Sequence, residues 1–313
     1  MPSLQHRLGM FAHPISIHFP GAPMMLWPRS DPYPSLHLSS APKRYIRGSE
    51  LLPCGSSKNK LIIFGDGTYI ELFTWINHDN PIQTAWVDKS PGLIAFALTT
   101  LRPFTATVNY DHLTRRLVHE EGDGGLGVKF NPPNPGARKR KDGVEVKWEM
   151  TGPEYSNAAE TPATSFFPTS RLDTPFFAHD VTARVVRVPF DDDSAIAHPC
   201  KATGIASVDV LVPPEKLTAY STLYSNITGV APDQITADSS REKGVSYKLT
   251  TPTSQGAGPL IRIRVPTTEE DEAWLRTRGI GIRAIKLAVD GRKGHGEERL
   301  AQEGVGSTIS LVW

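Results

Sequence analysis

The sequence has little cysteine and almost no excess charge, and both absences narrow the classes of protein to consider. Its two cysteines, Cys54 and Cys200, cannot build a disulfide framework or a paired-cysteine metal motif, which favours a reducing compartment. The 34 basic and 33 acidic residues leave a net charge of +1, so no overall field attracts nucleic acid or an anionic membrane. Specificity for any partner must therefore come from a local site, and the sequence leaves the oligomeric state open.

Long apolar runs are also missing. No stretch approaches the roughly 18 residues that cross a bilayer. Histidines and prolines interrupt the N-terminal residues where a signal peptide would need an apolar centre, so we expect a cytoplasmic location. The chain still has enough apolar material for a core, because 39% of its 313 residues are hydrophobic. This length predicts two domains.

Residues 1–58 differ in composition from the rest of the chain. They contain nine prolines and no sustained strand or helix period. Residues 15–19 read as a short strand, but Pro14 and Pro20 bound this run on both sides. We interpret residues 1–58 as an irregular, proline-rich segment.

Regular structure is predicted from Asn59 onward. Residues 60–64 and 68–75 read as two strands joined by a turn at Gly65-Asp66-Gly67. Because side chains alternate across a strand, one face of the second strand carries Tyr69, Glu71, Phe73 and Trp75. Glu71 is thus a carboxylate among aromatic side chains and a candidate catalytic residue. The alternative is that Glu71 pairs with a nearby arginine or lysine.

Three later segments share one pattern of glycine followed by spaced apolar residues. They are residues 92–98, 204–210 and 281–287. Each is predicted to open a unit and to precede a helix and further strands. The clearest helix covers residues 214–228, beginning at a proline and ending before Gly229. Isolated strands also begin with glycine and alternating apolar residues, but three such segments together favour repeated βαβββ units and an α+β fold.

Other runs complete this prediction. Strands are predicted at residues 143–150, 175–179, 245–250, 260–265 and 307–313. The basic run 138–141 lies in a stretch rich in proline, glycine and asparagine, and we interpret it as part of a solvated loop.

Four segments carry a family resemblance. They are residues 59–72, residues 142–148, residues 174–180, and His198-Pro199 ahead of Thr203-Gly204-Ile205. Together they resemble the glyoxalase-like branch of the vicinal-oxygen-chelate superfamily, from Asn59 to about Pro213. The resemblance implies curved, mostly antiparallel sheets of βαβββ units with helices on the outer face and a small molecule in the concave face. It suggests domains at 59–190 and 198–313. No glycine-led strand precedes Asn59, so we expect an incomplete first unit and an atypical N-terminus.

The resemblance also implies where a metal would bind. In the superfamily the ligands are a histidine of the opening strand and a glutamate of the last strand. The histidine position falls here on Ala95, Ser207 and Ala284, and none of these supplies an imidazole. Glu71 holds the glutamate position of its unit, while Ser310 lies near that position in the last unit. We therefore expect no metal and no cofactor, with His18 only a remote candidate for the missing histidine.

The candidate site combines the two lines of reasoning. The catalytic candidates are Glu71 and His179, and the substrate-binding candidates are Tyr69, Phe73, Trp75 and Asp180. His179 and Asp180 are neighbours at the end of a strand, so their side chains point to opposite faces. In the competing interpretation Trp75 packs in the core, Asp180 caps the turn before Thr182, and His198 is a hydrogen-bonded linker residue.

Two functions remain open at this point. The first is an enzyme of the lyase, isomerase or dioxygenase type that acts on a small oxygenated metabolite. The second is a metal-free protein that binds or sequesters a small molecule, or an inactive truncated form. The fold alone does not decide between these two functions, because proteins of one fold can have many different functions.

Overall fold

A computed structural model describes residues 10–18, 57–75, 92–101, 103–120, 125–140, 142–155, 173–235, 243–253, 258–300 and 306–313. For residues 10–18, 57, 58, 74 and 75 the backbone alone is described. None of the helices in these ranges is long and apolar enough to cross a membrane.

The first part of the chain forms a seven-stranded sheet and a small two-stranded one. Its strands are β1 (Met10–His18), β2 (Ser57–Ile63), β3 (Tyr69–Trp75), β4 (Gly92–Thr100), β5 (Val128–Phe130), β6 (Asn134–Lys139), β7 (Glu145–Thr151), β8 (Pro153–Tyr155) and β9 (Phe176–Asp180). Strands β5 and β8 pair with each other, and the others form one sheet in the order β2-β3-β1-β4-β9-β7-β6. At its centre β1 and β4 run antiparallel, while β3 lies parallel to β1 and β9 parallel to β4.

The second part of the chain forms another seven-stranded sheet. Its strands are β10 (Ala202–Leu211), β11 (Asp233–Gln234), β12 (Gly244–Lys248), β13 (Leu260–Arg264), β14 (Gly281–Val289), β15 (Glu297–Leu300) and β16 (Thr308–Val312). Their order, β11-β12-β13-β10-β14-β16-β15, repeats the arrangement of the first sheet, with antiparallel β10 and β14 flanked by the parallel strands β13 and β16. The predicted α+β fold with mostly antiparallel sheets is confirmed.

Short helices connect these strands. They are α1 (Ala106–Arg116), α2 (Arg184–Arg187), α3 (Asp193–Ile196), α4 (Leu217–Thr228) and α5 (Glu269–Arg278). Helix α1 begins where the Thr105 hydroxyl accepts a hydrogen bond from the Val108 N–H at 3.2 Å. Helix α4 follows a single 3-10 turn and ends at Gly229, which adopts a left-handed φ of 67°. The helix predicted over residues 214–228 is confirmed.

Strand β1 lies in the middle of the first sheet, inside the segment predicted to be irregular. The prediction that no opening strand precedes Asn59 is therefore wrong. Pro14 obscured the strand, because a proline has no N–H for the sheet ladder. The chain accommodates Pro14 at a register shift against β4, where His13 pairs with Ala97 and Ile15 with Phe96.

Two further expectations need correction. Arg138, predicted to lie in a loop, belongs to β6 and pairs with Val146 of β7. No helix follows β14 in the described chain before β15 begins at Glu297, although the pattern at Gly281 predicted one. The intervening residues turn instead, with left-handed φ values of 79° at Gly291 and 80° at Gly294.

Alternate residues of the central strands face one continuous core. Phe96 of β4 and Phe177 of β9 belong to the same buried cluster as Val208 and Val210 of β10. Leu223 of α4 joins them and is fully buried. Complete burial of one such side chain stabilises the fold by roughly 1.5–3 kcal/mol.

Polar contacts also join the two sheets. The His198 Nε2 atom lies 2.7 Å from the carbonyl oxygen of Ile63, which confirms the interpretation of His198 as a hydrogen-bonded linker residue. The Ile205 N–H donates to the Thr68 hydroxyl at 3.2 Å. Arg116 at the end of α1 donates to the carbonyl oxygen of Asn226, at the end of α4. The division into domains 59–190 and 198–313 stays a prediction.

Candidate functional site

Glu71 lies in the middle of β3, on the face that it shares with Tyr69 and Phe73. Tyr69 is 2% exposed and Phe73 is 4% exposed. Glu71 lies opposite Leu61 of β2 and Ser16 of β1 in the sheet register. We name this side of the first sheet the Glu71 face. The side chain of Trp75, the last residue predicted on this face, lies outside the described side chains.

The carboxyl group of Glu71 is enclosed by protein, although part of the residue remains accessible to solvent. The Asn59 side-chain amide donates to its Oε1 atom at 2.7 Å. Burial raises the pKa of Glu71, and this effect outweighs the opposing influence of Asn59, Arg187 and Arg138. A carboxyl group with a raised pKa is better matched to proton transfer near neutral pH than an ordinary one.

Asp180, at the end of β9, is held by two arginines of the short helix that follows. Arg184 Nη1 lies 2.9 Å from Asp180 Oδ2, and Arg187 Nε lies 2.7 Å from Oδ1. Burial alone would raise the pKa of Asp180, but Arg187 and Arg184 outweigh it and lower the pKa. Arg184 also donates to the carbonyl oxygen of Gly67 at 2.5 Å, which fixes α2 against the turn before β3.

Arg187 connects Asp180 to the Glu71 face. Its Nη1 atom donates to the Tyr69 hydroxyl oxygen at 3.3 Å, and its charge acts on Glu71. Burial raises the pKa of Tyr69 to about 12, so the phenol stays protonated at neutral pH. The remaining nitrogen of Arg187, Nη2, is buried and has no hydrogen-bond partner in the described part of the chain. Arg187 therefore contacts Asp180 and Tyr69, and its charge acts on Glu71, which shares a face of β3 with Tyr69.

His179 lies on the opposite face of β9, in the core with Phe177. The two rings are parallel, with centroids 5.7 Å apart, and the Nδ1 atom lies 3.0 Å from the Thr100 hydroxyl. Burial lowers the pKa of His179 to about 4, so the ring is neutral at physiological pH. The structure does not bring His179 to Glu71, and its catalytic role stays a prediction.

The described side chains do not fit the metal site that the superfamily resemblance implies. No group of three or more His, Cys, Asp and Glu side chains is placed to hold a metal ion within the described ranges. Asp180 is engaged by arginines, and Glu71 by Asn59. The opening-strand position at Ser207 is also engaged, because its hydroxyl donates to Asp209 at 3.0 Å.

Sequence reasoning missed the two arginines and Asn59. Residues 184–188 read Arg-Val-Val-Arg-Val, an apolar run that hides a helical turn. One signal was present, because Arg184 follows Asp180 at the spacing that joins side chains across one helical turn. Asn59 is the first residue of the first family-like segment, and the sequence pattern predicts only that a strand begins there.

Comparison with known proteins places the chain in a family. The sequence profile of the glyoxalase-like domain matches residues 52–228, more than half of the 313 residues. The chain belongs to the glyoxalase-like domain family. It is thereby a member of the vicinal-oxygen-chelate superfamily, as the resemblance of its sequence segments predicted. Among curated proteins, none shows significant sequence similarity to this glyoxalase-like protein.

One solved structure supports the fold over nearly the whole chain. A hypothetical protein from Staphylococcus aureus superposes with a TM-score of 0.56 at 12% identity, covering 96% of this chain and 98% of its own. A triple mutant of 4-hydroxymandelate synthase from Streptomyces coelicolor gives a TM-score of 0.44 at 10% identity, covering 75% of this chain and 60% of its own. Methylmalonyl-CoA epimerase in complex with methylmalonyl-CoA gives 0.30 at 17% identity, covering 36% of this chain and 94% of its own. The first likeness shows the fold alone, and the other two are too distant to inform the chemistry of the site.

Proposed function

We propose that this glyoxalase-like protein is an enzyme that binds a small oxygenated metabolite on the Glu71 face of the first sheet. Glu71 acts there as the proton acceptor. The observation that carries the proposal is the carboxyl group of Glu71, which accepts a hydrogen bond from Asn59 and whose pKa is raised by burial against the opposing charge of Arg187. Perturbed carboxyl groups of this kind occur preferentially at functional sites.

The chemistry suited to these groups is proton removal from a carbon next to a carbonyl or carboxylate. Glu71 takes the proton, and negative charge develops on the neighbouring oxygen of the substrate. The fixed positive charge of Arg187, which acts on Glu71, stabilises that oxygen. Asp180 and Tyr69 hold Arg187 in place, so the guanidinium group needs little reorganisation during the reaction. This assigns the isomerase or lyase type within the wider range predicted from the sequence.

A second function is a binding protein without catalysis. It is favoured by the stable pairing of groups on the Glu71 face, because Asn59 holds Glu71 and Asp180 holds both arginines. In that case the same face would take up a small molecule and release it unchanged. Binding with no exchange of substrate hydrogens would identify this function.

Deuterium incorporation distinguishes the two functions. The protein is incubated in D2O with a panel of small 2-hydroxy and 2-oxo acids. Proton NMR follows exchange at the carbon beside the carboxylate in the hydroxy acids and at the carbon beyond the carbonyl in the oxo acids, against a sample without protein. We expect exchange in the wild type, reduced by roughly 10²–10⁴-fold in Glu71→Gln, the usual contribution of one acid–base group. Glu145→Gln is the control, because Glu145 is an exposed carboxylate of β7. Equal exchange in wild type and Glu71→Gln would refute the role of Glu71.

A further inference from the structure

Two polar atoms, one on a residue that contacts Glu71 and one on a residue that contacts Tyr69, are buried without hydrogen-bond partners in the described chain. They are Nη2 of Arg187 and Oδ1 of Asn59. The Arg187 side chain is 10% exposed and Asn59 is 8% exposed. A buried polar group left unsatisfied is destabilising, so such atoms are rare in folded proteins and call for an explanation.

The directions of both atoms are fixed by what the rest of each side chain contacts. Arg187 uses Nε on Asp180 and Nη1 on Tyr69, which leaves Nη2 as the remaining donor. Asn59 uses its amide nitrogen on the Glu71 carboxylate, which leaves Oδ1 as an acceptor. Asn59 thus contacts Glu71 directly, and Arg187 contacts Tyr69 on the same face of β3.

Charge on this side of the sheet also favours an anion. Arg184 and Arg187 both pair with the single carboxylate of Asp180. A buried charge is stable when it is paired and hydrogen-bonded, and Nη2 of Arg187 still lacks an acceptor in the described chain. An anionic group of a ligand would supply that acceptor.

We propose that Arg187 and Asn59 form a recognition site for small hydroxy acids. A carboxylate oxygen of the ligand accepts a hydrogen bond from Arg187 Nη2, and a hydroxyl group of the same ligand donates to Asn59 Oδ1. The inference rests on the proposed function insofar as both place the ligand on the Glu71 face, and it adds the substrate class. Both atoms are enclosed by protein, so binding requires neighbouring side chains to move aside.

Three probe compounds test each half of this assignment. Glycolate carries the carboxylate and the hydroxyl, glycolamide replaces the carboxylate with a neutral amide, and acetate lacks the hydroxyl. Binding to the wild-type full chain is measured by NMR titration. We expect glycolate to bind roughly tenfold or more tightly than glycolamide, the ratio for loss of a charge-assisted hydrogen bond, and more tightly than acetate. Equal binding of glycolate and glycolamide overturns the assignment of Arg187, and equal binding of glycolate and acetate overturns that of Asn59.

A variant then locates the effect. Arg187→Lys keeps the charge and loses the fork of nitrogens, so we expect weaker glycolate binding and unchanged glycolamide binding. Arg299→Lys is the control, because Arg299 is an exposed arginine of β15 in the second sheet and pairs with Glu270 of α5. If Arg187→Lys fails to fold, the ligand comparison on the wild type still decides. Unchanged glycolate affinity in folded Arg187→Lys, or no glycolate binding to the wild type, overturns the proposal.

The outcome is separable from that of the proposed function. Affinity for glycolate depends on Arg187 and Asn59 and needs no proton transfer, whereas deuterium exchange requires Glu71 in addition. Selective glycolate binding without exchange would support the recognition site and refute proton transfer. Exchange of other compounds, with no preference for glycolate over glycolamide, would do the reverse.

Discussion

Replacing His179 with glutamine should remove a large part of the acid sensitivity of the fold. His179 is 4% exposed, and burial lowers its pKa to about 4 from the ordinary value of 6.5. The unfolded chain therefore binds a proton more readily than the folded chain. The stability due to neutral His179 is fully present above pH 6.5 and is lost as the pH falls towards 4.

The magnitude follows from these two pKa values. Between pH 7 and pH 5 His179 becomes protonated in the unfolded state but stays mostly neutral in the folded state. At about 1.4 kcal/mol per tenfold change in proton affinity, this difference lowers the free energy of unfolding by about 2 kcal/mol. Glutamine keeps a polar group of similar length and does not titrate. The difference in unfolding free energy between pH 7 and pH 5 should therefore be smaller in His179→Gln by that amount.

Urea unfolding at the two pH values measures this difference. The comparison is between pH values for each protein, so any constant loss of packing or of the Thr100 contact cancels. His295→Gln, at an exposed histidine, is the matched control and should behave as the wild type. If His179→Gln lost as much stability as the wild type on acidification, the buried neutral imidazole would not be the cause.

Four further predictions concern stability and metal binding. Asp180→Asn leaves two buried arginines without their carboxylate and should cost roughly 3–5 kcal/mol in urea unfolding. Arg116→Ala removes hydrogen bonds to two carbonyl oxygens at the end of α4 and should cost about 1–2 kcal/mol by the same assay. Gly204→Ala places a methyl group against the Asp66 carboxylate and should cost roughly 1–3 kcal/mol. Protein dialysed against a weak chelator should retain no stoichiometric transition metal in elemental analysis, because selective tight binding needs several ligands in fixed geometry.

Controls separate these effects from nonspecific damage. Asp142→Asn breaks an exposed ion pair with Arg140 and should change stability by less than about 1 kcal/mol. Arg115→Ala alters an exposed neighbour of Arg116, and Gly152→Ala adds a methyl group where nothing lies within 4 Å. Losses as large in these controls as in the test variants would contradict the reasoning. Bound metal that disappears in Glu71→Gln would show that Glu71 is a ligand.

Most of the fold could be predicted because most of its strands have a recognisable pattern of apolar residues in the sequence. Strands β4, β10 and β14 each carry a glycine followed by closely spaced apolar residues, which is typical of buried strands, so their existence and approximate bounds were predictable. Strand β1 was predictable only in part. Residues 15–19 read as a short strand, but Pro14 breaks the pattern before them, and the pairing with β3 and β4 extends the strand back to Met10. Tertiary pairing overrode the local signal there.

The candidate site was predictable to a smaller extent. Glu71 could be singled out because a carboxylate among aromatic residues in a strand needs a partner. The residues around Glu71 could not be predicted. Asn59 contacts it from β2 and the charge of Arg187 acts on it from α2, and no local sequence pattern specifies the register of β2 or the position of α2. The alternation rule did separate His179 from Asp180, but only the structure shows which of them faces Arg187.

The first sheet depends on residues 10–18, because β1 lies between β3 and β4 in its middle. During synthesis β1 emerges before both of its partners, so the sheet closes only after β3 and β4 have followed it. Contacts over such separations form late and slow folding. A protein lacking β1 would lose the middle of this sheet and not its rim, leaving β2-β3 and β4-β9-β7-β6 as two pieces, each with a newly unpaired strand open to other chains.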